Sequence, residues 1–139
     1  MTQQVPLQLP RSMEALTRVH GNLATAVILF NLFLGVWSLI KYFRHDVVDG
    51  NFAGGLALSP LLGTVQMLLG LVLVANGLGG AARLVHYLYG VLVVINIPAA
   101  FAFTRGRDDR GMLIIYAAVL FFTSACGARA YISVHGGGL

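Results

Sequence analysis

The chain alternates long apolar runs with short polar breaks. Its charged residues leave four gaps, Val19–Ile40, Gly50–Ala82, Leu84–Thr104 and Gly111–Ala128. Each gap holds the roughly 20 apolar residues that a helix needs to cross the hydrocarbon core of a bilayer. Backbone groups in lipid must be satisfied within their own segment, so the runs predict helices. No run alternates apolar and polar residues at period two, which argues against a barrel. The spans fall at about 22–42, 60–77, 84–104 and 112–131. The fold class that follows is all-α, an integral membrane four-helix bundle forming one domain over residues 1–139.

Local signals set the boundaries. Ser12 reads as an N-cap with Glu14 in the first turn, so helix one starts near Met13 and runs to Phe43. Trp37 and Tyr42 suit an interfacial aromatic belt near its far end. Residues 44–58, with Gly50, Gly54 and Gly55, read as the longest loop. Ser59-Pro60 then reads as a cap followed by a first-turn proline. Gly77, Gly79 and Gly80 stop helix two, and Pro98 kinks helix three. Arg105–Arg110 makes a tight polar turn. Short connections favour antiparallel neighbours, hence an up-down-up-down bundle with both termini on one side and helices one and three diagonal.

Composition strengthens the membrane assignment. Of 139 residues, 58% are hydrophobic and only 10% are charged, against about 25% charged in an ordinary soluble domain. A soluble chain this small buries too little of its surface to hide that excess. The net charge of +4 comes from basic residues at helix ends, with no cluster to hold nucleic acid. The terminal side carries Arg11, Arg18, Arg83 and Arg129, and the other side Lys41, Arg44, Arg105, Arg107 and Arg110. A difference of one does not fix orientation, and the two longer loops are assigned to the cytoplasm of a bacterial inner membrane. Lys41-Tyr42-Phe43-Arg44 follows the first run in place of a small-residue cleavage site, so that run reads as a retained span. The single Cys126 has no partner for an internal disulfide.

No enzyme motif is present, and no carboxylate lies inside a span to couple transport to cations. The reading leans away from an enzyme. His20 opens the first apolar run and His86 the third. These helices run the same way, so the two imidazoles share one depth and point at each other across the core. Such a pair can ligate a haem iron from both sides. Gly90, one turn from His86, leaves room for a flat macrocycle; Gly77 on helix two lies at the histidine level. Arg18, Arg83 and Arg129 end on the same side and can pair with haem propionates. The competing reading is plainer. Interfacial histidines tolerate one wet end, glycine stripes such as Gly63, Gly70 and Gly77 serve close helix packing, and terminal arginines snorkel. Asn31, Gln66 and Asn96 read as interhelical hydrogen-bonding residues; His45 and His135 read as solvated.

At His20 and at His86-Tyr87-Leu88-Tyr89-Gly90 the chain resembles small four-helix b-type cytochrome modules of membranes. The resemblance implies haem b held by histidines of two helices, with glycines admitting it. His86–Gly90 followed by Arg105-Gly106-Arg107-Asp108 is also similar to small bacterial four-span membrane proteins without an assigned activity. Together these readings give an accessory or electron-transfer subunit of a bacterial membrane redox complex. Its partners are lipid and other membrane subunits or further copies of itself. The alternatives are a cofactor-free structural or assembly protein, and a small-solute carrier acting as an oligomer.

Overall fold

The structure is a computed structural model that describes residues 10–79 and 84–135, with no side-chain description for His135. Four helices follow in order, α1 (Arg11–Phe43), α2 (Gly50–Ala75), α3 (Leu84–Thr104) and α4 (Arg110–His135). All four are long and apolar enough to cross a membrane. The protein is an all-α, multi-pass membrane bundle. At 1.5 Å per residue, the 33 residues of α1 extend about 50 Å, beyond the roughly 30 Å of a hydrocarbon core.

Every neighbouring pair of helices is antiparallel. Ser38 Oγ donates to Leu113 O and Ser124 Oγ to Ile28 O, which runs α1 against α4. Ser59 Oγ donates to Asn31 Oδ1, and Gln66 Nε2 to His20 O, between α1 and α2. Asn96 Nδ2 donates to Thr123 Oγ1 between α3 and α4. The α2–α3 contact closes at Gly63, where an added Cβ would stand 3.2 Å from Val93. Among the described residues no Cα pair of α1 with α3, or of α2 with α4, comes within 8 Å. α1 and α3 are therefore diagonal, as the connection lengths predict.

The observed boundaries correct two expectations. α2 starts at Gly50, nine residues before Ser59, because the Asp49 carboxylate accepts the Phe52 N–H and caps it. Ser59 lies inside the helix, buried and bonded to Asn31, and Pro60 follows it within α2. Of the glycines expected in a loop, all three are helical and Gly55 packs: a Cβ there would meet Leu34 Cδ2 at 2.8 Å, while Gly50 and Gly54 face open space. The hydroxyl of Ser59 serves an interhelical bond, so the Ser-Pro pair mimics a helix start. At the N-terminus, α1 begins at Arg11 with Pro10 in the cap position and no side-chain cap, so Ser12 is helical.

Helix ends close by one device. α1 turns at His45 (φ 62°), with Asp46 N–H donating to Lys41 O and His45 N–H to Tyr42 O. α2 repeats the pattern at Gly77 (φ 79°) and α3 at Arg105 (φ 53°). This is the Schellman arrangement, which satisfies carbonyls that would otherwise be orphaned. The 44–49 and 105–109 turns lie together, joined by Val48 N–H to Asp108 O. Here Lys41, buried in α1, meets the Asp49 carboxylate at 2.6 Å. That ammonium, and then the Phe52 N–H, hold the Asp49 carboxyl below its ordinary value. Arg110 donates to Tyr42 O and stacks 4.2 Å above the Tyr42 ring.

Candidate functional site

The other end of the bundle is hollow. α1 buries no residue before Val27, and the buried cluster nearest this end is only Val27, Val93 and Cys126. A cavity of about 390 Å³ opens among all four helices, with His20, Gly63, Gln66, Gly70, His86 and Gly90 on its wall. Small residues make the space. A Cβ on Gly90 would touch nothing within 4 Å. A Cβ on Gly70 would stand 3.1 Å from the His20 ring, so that residue lets α2 approach the imidazole.

His20 and His86 face across this cavity with ring centroids 6.3 Å apart and planes at 55°. Two imidazoles on opposite sides of one iron would place their centroids about 6 Å apart, given metal–nitrogen bonds of about 2 Å. The centroid spacing matches that figure, while His20 Nε2 itself lies against Gln66 of α2. His86 Nδ1 lies 2.9 Å from Ala130 O of α4. A carbonyl only accepts, so Nδ1 carries a proton and Nε2 is the nitrogen left to face the cavity side. A ligating histidine is commonly oriented in this way. His20 is held differently. Gln66 Nε2 donates to its carbonyl at 3.0 Å and lies 3.4 Å from its ring Nε2, while His20 Nδ1 and Gln66 Oε1 are buried without partners.

The remaining site residues divide. Gly90 lines the cavity, as its spacing from His86 suggests. Gly77 does not. It lies past the end of α2 in the left-handed conformation, where it closes the helix, so its place on the glycine stripe was set by turn chemistry. Arg18 and Arg129 are exposed and stand one residue from the wall residues Thr17 and Ala130. Arg83 lies outside the described residues. Gln66 is the functional candidate that the sequence reads first as an interhelical amide and only second as a quinone or substrate contact. Its position four residues before Gly70 puts it one turn along the same face, and that spacing was the available signal. Two imidazoles at this spacing and a wall without a Cβ at Gly90 are the donors and the room that a b-type haem would use. No protein family, characterised protein or solved structure matches this chain.

Proposed function

We propose that this protein is a small haem-carrying subunit of a bacterial inner-membrane redox complex, taking one b-type haem between His20 and His86. The observation that carries the reading is the 6.3 Å separation of two imidazoles on diagonal helices, across a cavity shared by all four. Bound there, the haem would supply one-electron transfer. The chain's own residues do the rest. His86 is oriented through Ala130 O, Gly90 leaves the face of the site open, and the apolar walls exclude water. A group held by one histidine from each of two helices would suit electron transfer within a larger assembly better than catalysis.

The test is a haemin titration of the purified chain in detergent. The expected product is six-coordinate and low-spin, with sharp reduced bands. His20→Ala and His86→Ala should each abolish that spectrum and leave the helical circular dichroism unchanged. A spectrum indifferent to both substitutions, or no uptake at all, would sink the proposal. The competing reading, a cofactor-free assembly protein, is favoured by the hydrogen bonds that both histidines already make between helices. It expects no uptake.

A further inference from the structure

Two buried polar side-chain atoms among the described residues have no hydrogen-bond partner, His20 Nδ1 and Gln66 Oε1. They belong to side chains already in contact, and they are complementary. With Gln66 Nε2 donating toward His20 Nε2 at 3.4 Å, the imidazole proton resides on Nδ1. One orphan is thus a donor and the other an acceptor. Such groups are costly to leave unmade in a low-dielectric interior. In the present arrangement the amide covers the very lone pair that His20 would offer to a metal. A shift of the Gln66 side chain that joined Nδ1–H to Oε1 would satisfy both orphans and bare Nε2.

His86 shows no such competition. Its Nδ1 proton is fixed on a backbone carbonyl of Ala130, itself buried on α4. Both helices are loosely seated at this end, with no buried residue before Val27 in α1 or before Val93 in α3, so the difference between the histidines lies in their hydrogen bonds. Resting on the haem reading above, we infer that the two histidines are unequal ligands. His86 is permanent and His20 exchangeable, with Gln66 as the positioning residue that competes for His20 Nε2. The His20 side of the iron is then a binding site for a small neutral diatomic molecule, for which carbon monoxide is the probe.

The experiment uses the full chain loaded with haemin, reduced with dithionite and mixed with carbon monoxide. The unmodified protein should take up the gas with loss of its low-spin bands. His20→Ala should keep five-coordinate haem and bind carbon monoxide faster, whereas His86→Ala should weaken haem affinity by at least the roughly tenfold that loss of an orienting partner alone costs a metal site. Gln66→Leu removes the competitor and should slow carbon monoxide uptake about tenfold. Gln66→Glu should slow it likewise and also lower the midpoint potential, because a carboxylate accepts from Nδ1–H but cannot donate to Nε2. Uptake of haem without carbon monoxide binding would overturn the inference and spare the haem reading. Equal behaviour of the two histidine variants, or unchanged kinetics in both Gln66 variants, would also overturn it. Failure to take up haem removes both.

Discussion

At the end where the two turns meet, the bundle is solid. Leu34, Phe52, Leu56, Ile97, Met112, Leu113, Tyr116 and Leu120 form a continuous buried cluster. Trp37 closes on Phe52 edge to face at 5.5 Å, and Phe52 on Tyr116 at 6.4 Å. Polar groups there are spent on structure: Lys41 on Asp49, Thr104 on Tyr116, Arg110 on Tyr42 O. The histidine end has the same four helices and the opposite packing. Gly63, Gly70 and Gly90 line its wall, two polar atoms go unpaired, and the middle is a cavity. Lipid gives helices no hydrophobic reason to associate, so close packing and polar contacts hold a membrane bundle together. One end supplies that cohesion, and the other is free to be hollow.

The contrast has measurable consequences. The largest belongs to the solid end. Phe52→Ala removes a ring that is 0% exposed and should cost about 3–5 kcal/mol, read as a fall in the thermal midpoint in detergent. A loss under about 1 kcal/mol would mean that cohesion lies elsewhere. At the hollow end a large insertion should be accepted. Gly90→Leu has open space to enter and gains helix propensity, so it should stabilise the cofactor-free chain by up to about 1 kcal/mol. The same change should block haemin uptake. A destabilised variant would show that the cavity is already filled.

The smallest effect is acid-dependent. The Asp49 carboxyl is held below its ordinary value of 3.8 by Lys41. A group whose folded value is depressed contributes stability that is complete above the unfolded value and lost as pH falls through the folded one. The wild type should therefore lose more stability than Asp49→Asn between about pH 4 and the lowered folded value. Parallel pH profiles for the two proteins would remove Asp49 from the account of the solid end.

Much of this architecture is legible in the amino-acid sequence. α3 ends at Thr104, where its charge-free gap ends, because Arg105 and Gly106 leave no other place to stop, while the start expected near Ala81 lies outside the described residues. The histidine depth and diagonal follow from span order alone. α2 misleads because two cap signals compete for one helix. Asp49 wins, since it meets both the Phe52 N–H and Lys41, and the Lys41 contact joins residues no local window compares. The buried amides are interhelical, as their positions suggest and as Asn31–Ser59 and Asn96–Thr123 show. The support of His86 is invisible in the sequence, because its acceptor is a main-chain carbonyl that any residue at position 130 would provide. Gly77 shows the converse: one residue type answers both to close packing and to a left-handed turn, and only the backbone decides.

The most extensive interface in the bundle joins its first helix to its last. During synthesis α1 enters the bilayer long before α4 exists. About 70 residues separate Phe43 from Arg110, on the order of ten seconds of elongation at ordinary rates. For that interval the Ser38 hydroxyl lacks Leu113 O and the Ile28 carbonyl lacks Ser124, since both partners are still unmade. The α1–α2 hairpin carries polar bonds of its own, Gln66 to His20 O and, nearer the middle of both helices, Ser59 to Asn31. Both partners of each bond are made before α4, so the first two helices hold polar contacts that do not depend on the last one.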